Sequence, residues 1–170
     1  MQHFYKYMNT PVGRLTLIGN DEGLAAILWE NDNPNRVRPK ADIRNDQHPV
    51  LIATERQLQE YFNGERNEFE ITLAAIGTDF QKEVWNALCT IPYGQTRSYT
   101  QIAHQIGKPK AVRAVGAANG RNPISIIVPC HRVIGSSGSL TGFAGGLPAK
   151  ASLLSLEDMN GGPSQLSIEL

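Results

Sequence analysis

Residues 98–121 read SYTQIAHQIGKPKAVRAVGAANGR. Ser98 can cap a first short helix that carries Ile102, Ala103 and Ile106 inward and stops at Gly107. Pro109 suits the first position of a second helix, which runs to about Asn119 before Gly120. Two helices joined by a glycine-containing turn match the helix-turn-helix pattern. In the second helix Val112, Val115 and Asn119 share one face, and Lys110, Arg113, Ala117 and Arg121 share the other. Ala111, Ala114, Gly116, Ala117, Ala118 and Gly120 leave that helix thin. A thin basic helix can approach a nucleic-acid backbone closely, even in a minor groove only ~6 Å wide. The same residues would also suit an Ala-rich helix packed on a neighbour, so the pair alone does not decide.

Around this stretch the charge is segregated, although the formal net charge is zero. Residues 1–83 carry 13 acids and 9 bases, whereas residues 84–156 hold seven bases and no acid. Those bases are Arg97, Lys108, Lys110, Arg113, Arg121, Arg132 and Lys150. A positive surface patch of this kind is the footprint expected for a polyanionic partner. The composition, 41% hydrophobic and 19% charged, is that of a soluble globular protein. No apolar run reaches the length of a membrane span, and residues 1–20 lack a signal-peptide core. Two cysteines, Cys89 and Cys130, make no disulfide framework, so a reducing, cytoplasmic setting is expected. The four histidines form no zinc-site spacing with them, and no metal is expected.

Upstream, HFYKYM, RLTLIG and LAAILWE are β-prone runs separated by the turn signals NTPVG and NDEG. Residues 31–48 read as an exposed connection, 50–62 as a helix stopped at Gly64, and FEITL (69–73) as one more half-buried strand. The chain changes character near Ile76-Gly77. Thr78 and Gln81 form a capping-box pattern, followed by the apolar stripe Phe80, Val84, Leu88 and Ile91. Cys89, on the edge of that stripe, reads as a packed thiol. The expected fold class is therefore α+β, with an N-terminal small sheet and helix over 1–76. A mainly helical domain follows over 77–158, and residues 159–170 read as a mobile tail.

The chemistry concentrates in VPCHRVIG, residues 128–135. A cysteine near its ordinary pKa of ~8.5 is mostly thiol at neutral pH, and a basic surrounding lowers that value. His131 and Arg132 follow Cys130 directly. If IIVP is a strand, successive side chains point to opposite faces. His131 then reaches the thiol only if the chain turns there, or through a water. A base also wants an orienting carboxylate, and the first acid downstream is Glu157, at the end of the helical PAKASLLSLE. Cys130, His131 and Glu157 are thus a candidate triad. A structural cysteine, or the triad of a cysteine hydrolase, would satisfy the same residues. So would a helix-turn-helix regulator that leaves the triad idle.

Three stretches carry a resemblance: IPYGQTRSYTQIA, KPKAVRAVGAANGRNP and, above all, IVPCHRVIGSSGSLTGFAGGL. Together they resemble the methylated-DNA–protein-cysteine methyltransferases, which repair 6-O-alkylguanine, strongly over 78–157 and loosely before it. The resemblance implies that Cys130 accepts the alkyl group, that His131 is its base through a water, and that Glu157 holds the histidine. It makes Asn122 a hinge between recognition helix and active-site turn. Tyr99 becomes the residue that helps rotate the nucleotide out and hydrogen-bonds the flipped guanine. Arg113 enters the base stack, with Lys110, Ala114, Ala117 and Arg121 facing the DNA around it. Val133, Phe143, Ala144 and Gly145 line the base pocket. The implied partner is double-stranded DNA bearing alkylated guanine, bound by a monomer that can cluster on DNA, with no cofactor. Phe143 and Ala144 depart from the Tyr and Ser of some relatives. LPAKASLL departs from a more usual charged-aromatic version but keeps Lys150.

Overall fold

The computed structural model describes residues 1–34 and 36–159, and its chain forms two compact units. The first unit comprises Met1–Ile76 and Pro123–Ser125. Strands β1 (Phe4–Thr10), β2 (Gly13–Asn20) and β3 (Gly23–Trp29) form the expected antiparallel meander. A two-residue strand, β4 (Ile43–Arg44), lies parallel to β1 and gives the order β3-β2-β1-β4. It falls inside the supposed connection 31–48, where two residues are too few to leave a periodic signal. Helix α1 (Pro49–Phe62) packs on the sheet through Leu51, Thr54, Gln57, Leu58 and Tyr61. Its first turn is capped by His48, whose ring nitrogen accepts from the Val50 N–H.

FEITL is not a regular strand. Only Leu73 forms a bridge, to Leu24, held by Leu24 N–H to Thr72 O at 2.8 Å and Ala74 N–H to Leu24 O at 2.7 Å. The approach is close enough to require glycine at 23, where a Cβ would stand 2.4 Å from the Thr72 carbonyl oxygen. The same β3 edge takes a second short segment, since Ile27 N–H donates to Pro123 O at 2.8 Å. Two brief pairings cover an otherwise open edge. Beside them a buried polar cluster forms, with Trp29 Nε1 and Arg36 Nη2 both donating to Ser125 Oγ, at 3.0 and 2.9 Å. Asp32 neutralises the Arg36 guanidinium.

The second unit runs Gly77–Asn122 and from Ile126 onward. Helix α2 (Asp79–Leu88) starts with the expected reciprocal box between Thr78 and Gln81. Strand β5 (Arg97–Ser98) leads into α3 (Tyr99–Gln105), capped by Ser98 and Gln101 in the same way. Helix α4 (Val112–Gly120) packs against both, and Trp85 Nε1 donates to Ala118 O at 2.9 Å. Pro109 does not begin α4. It occupies a turn closed by Ala111 N–H to Lys108 O at 2.9 Å, where proline's fixed φ serves the second turn position. Lys110 therefore precedes the helix rather than riding on it. Cys89 is exposed at the C-cap of α2 rather than packed. Strand β6 (Val133–Ile134) pairs in parallel with β5, and α5 (Leu147–Met159) closes the unit. Met159, first residue of the expected tail, is still helical, and 160–170 lie outside the described residues. The fold class is α+β. No helix among the described residues is long and apolar enough to cross a membrane.

Candidate active site

Cys130 sits at the start of a single 3-10 turn, Cys130–Arg132, that runs into β6. IIVP before it is a series of turns rather than a strand, so the alternation of faces does not apply. Ile126 takes a positive φ of 74°, an outlier for a β-branched residue that only dense surroundings sustain. Asn122 supplies part of that constraint: its buried side-chain amide donates to Val128 O at 2.9 Å, spanning the bend. The Cys130 N–H donates back to Val128 O at 2.8 Å.

The turn and α5 bring together what the sequence separates by 26 positions. His131 Nε2 lies 2.7 Å from Glu157 Oε2, and both side chains are completely buried. Arg132 grips the same carboxylate with two prongs, Nε to Oε1 at 2.7 Å and Nη2 to Oε2 at 3.0 Å. Its third nitrogen, Nη1, donates to Ile91 O at 2.8 Å, and the Gly94 N–H reaches Glu157 Oε1 at 3.3 Å.

Burial alone would raise the Glu157 carboxyl. The facing His131 and the hydrogen bonds from His131 and Arg132 overcome that and hold it well below the usual carboxylate range. Burial pushes the His131 imidazole down, with Arg132 and Lys150 adding to the effect against Glu157. The permanent charge of Arg132 already balances Glu157, so the imidazole rests neutral. An ionised carboxylate only accepts, so Nε2 carries the proton and Nδ1 the lone pair. Nδ1 is buried and meets no hydrogen-bond partner among the described residues. That is the arrangement of an oriented base.

Lys150, fully buried on α5, donates to Val133 O at 2.6 Å and to Thr141 O at 3.4 Å. Burial lowers its pKa to about 8, opposed by attraction to the Cys130 thiolate. Tyr99, first residue of α3, reaches Thr141 Oγ1 through its phenol at 2.5 Å, and burial raises its pKa. Of the expected pocket residues, Val133 is buried, while Phe143, Ala144 and Gly145 are half-buried in the loop leading to α5. Gly146 N–H closes a turn on Phe143 O at 2.9 Å.

Arg113, Ala114 and Ala117 are exposed on α4, with Lys110 and Arg121 exposed at its two ends. The acid-free stretch does not place all its bases on the surface, however. Arg132 and Lys150 are buried in the site, and Lys108 is paired with Glu83 at 2.8 Å. Reading the sequence did not anticipate the contacts that Arg132, Lys150 and Thr141 make here. The signal available was that an Arg and a Lys in apolar surroundings need a carboxylate or carbonyls nearby.

Comparison with known proteins identifies the family. Residues 79–159 match the model described as 6-O-methylguanine DNA methyltransferase, DNA binding domain. Residues 3–75 match its ribonuclease-like domain. The methylated-DNA–protein-cysteine methyltransferase of Methanosarcina barkeri is 50% identical over 157 residues, 92% of this chain and 98% of that protein. The protein of the same name from Mycobacterium tuberculosis is 50% identical over 155 residues, 90% of this chain and 91% of that one. Among solved structures, Mycobacterium tuberculosis OGT in complex with DNA matches with a TM-score of 0.84 at 47% identity. That match covers 93% of this chain and 94% of the other. An O6-methylguanine-DNA methyltransferase from Pyrococcus kodakaraensis, 18% identical with a TM-score of 0.53, shares the fold. With half the aligned residues identical to the Methanosarcina barkeri and Mycobacterium tuberculosis proteins over about nine-tenths of its length, the chain belongs to the methylated-DNA–protein-cysteine methyltransferase family.

Proposed function

We propose that the protein repairs double-stranded DNA by direct reversal, moving the alkyl group of 6-O-alkylguanine to Cys130 in one irreversible step. The observation that carries this reading is the buried His131–Glu157 pair at 2.7 Å, anchored by Arg132, immediately after the cysteine. Chemistry on a base inside a duplex needs that base outside the stack, and a damaged pair is cheaper to open. Arg113 on the exposed face of α4 fills the gap, while Lys110 and Arg121 hold phosphates without reading sequence. Ala114 and Ala117 keep the helix thin enough to sit close.

The flipped guanine enters between Tyr99 and the segment Val133, Phe143, Ala144, Gly145, and Asn122 ties the recognition helix to that turn. His131 Nδ1 takes the thiol proton through a water, and Lys150 favours the resulting thiolate. The thiolate attacks the alkyl carbon, and Tyr99 donates to the departing guanine. The product is a thioether that no group in the site can cleave, so each molecule acts once and without a cofactor. The reading is of a cytoplasmic protein that works as a monomer and can cluster on DNA.

Incubation with a duplex carrying 6-O-methylguanine, followed by mass analysis of the Cys130 peptide, tests this. The expected outcome is a gain of one methyl per protein with no further turnover. An unmodified Cys130, or repeated turnover, would overturn it.

A further inference from the structure

Tyr99 and Thr141 face each other at 2.5 Å, phenol oxygen to hydroxyl oxygen, across 42 positions of sequence. Two features hold Thr141 in that pose. The buried Lys150 ammonium reaches the Thr141 carbonyl at 3.4 Å while also gripping Val133 O, so the backbone is anchored on both sides of the loop. The Thr141 methyl lies toward Gly135, where an added Cβ would stand 3.6 Å from Cγ2. With the methyl turned that way, the hydroxyl is left for Tyr99. The phenol ring is confined on another side by α4, since a Cβ at Gly116 would stand 3.8 Å from the ring. Each partner is thus located by contacts independent of the other.

We propose that Thr141 is the second member of a proton-donating pair with Tyr99. Its hydroxyl donates to the phenol oxygen, and the phenol's own hydrogen is directed to the departing guanine. In the transfer the S–C bond forms, the C–O6 bond breaks, and the electron pair remains on the guanine. The phenol proton moves to that anion. The phenolate left behind is held by the Thr141 O–H, a hydrogen bond strengthened by the charge, and regains its proton from water. The thiol proton has by then passed to His131. Thr141 touches neither guanine nor alkyl group, so it is a positioning residue acting through Tyr99. The hydrogen bond from Thr141 lowers the phenol pKa against the raising effect of burial, which is the direction a donor needs.

This inference rests on Tyr99 as donor, and a cycle of variants separates the two. Single-turnover transfer rates and duplex affinities are measured for wild type, Thr141→Val, Thr141→Ser, Tyr99→Phe and Tyr99→Phe/Thr141→Val. Thr141→Val is expected to slow transfer about tenfold, the scale of one hydrogen bond to a developing charge, with affinity unchanged. Thr141→Ser keeps the hydroxyl and should restore most of the rate. In the Tyr99→Phe background, Thr141→Val should have no further effect. If Tyr99→Phe is slow while Thr141→Val matches wild type, the pair is refuted and the donor reading of Tyr99 stands. If Tyr99→Phe reacts at the wild-type rate, both fall. Equal losses for Val and Ser, or a full Thr141→Val loss in the Tyr99→Phe background, would also refute it. Thermal melting checks folding, and Thr141→Ala replaces the valine variant should it not fold, with the same expectations.

Discussion

Arg132 and Glu157 form a buried fork-on-fork ion pair, Nε to Oε1 at 2.7 Å and Nη2 to Oε2 at 3.0 Å. The pair stands behind His131 and sets both its orientation and its resting charge. Removing one member leaves the other as a buried, uncompensated charge. Arg132→Met should therefore destabilise the protein by about 3–5 kcal/mol in urea unfolding. Arg132→Met/Glu157→Gln should recover a large part of that loss, because no net charge is then stranded. Additive losses would show that the pair is not coupled.

Glu157 also sets the acid limit of stability. Its folded carboxyl lies below the ordinary value, so its contribution is present above the unfolded pKa of ~4.3 and is lost as pH falls toward the folded value. His131, lowered by burial, adds a loss of stability that begins below ~6.5, where the unfolded imidazole takes up a proton. Unfolding free energy measured from pH 7 to 3 should fall in two stages. In Glu157→Gln the lower stage should flatten.

Lys150 works at the other end of the scale. With a pKa of about 8 it is charged at neutral pH, and its attraction for the thiolate fades as pH rises through that value. Transfer to duplex should slow above pH ~8, and Lys150→Met should be about tenfold slower at pH 7 but lack that fall. The same burial makes the charged lysine a stability cost below pH 8. That cost is relieved between about 8 and the unfolded value of ~10.4, so stability rises with pH there. Rate against pH, with both proteins on one duplex, decides it.

Arg113 is exposed on α4, as are the small Ala114 and Ala117. Arg113→Ala should leave folding unchanged and slow reaction with alkylated duplex by at least about tenfold, the scale of failing to hold an unstacked base. Reaction with free 6-O-methylguanine should continue at the wild-type rate. Equal loss on both substrates would contradict the role.

Local signals were legible. Thr78 with Gln81, and Ser98, each cap a helix where the sequence predicts one, because a cap is a contact across three residues. Pro109 misleads for a related reason: a proline suits a helix start and a turn equally, and the Lys108–Ala111 hydrogen bond decides between them. FEITL alternates correctly but pairs only at Leu73, since pairing depends on a partner edge that its own residues do not specify.

By itself the sequence determined the α+β class, the meander, the thin helix carrying Arg113 and the Cys-His neighbourhood, all properties of composition and short-range pattern. Tertiary structure alone decided which bases are buried. Arg132 and Lys150 read like Arg113 and Lys110 in the sequence. They became site residues because folding closed α5 over the Cys130–Arg132 turn and removed water. Inside that space a charge must find Glu157 or a carbonyl, and this requirement belongs to the environment rather than to the residue.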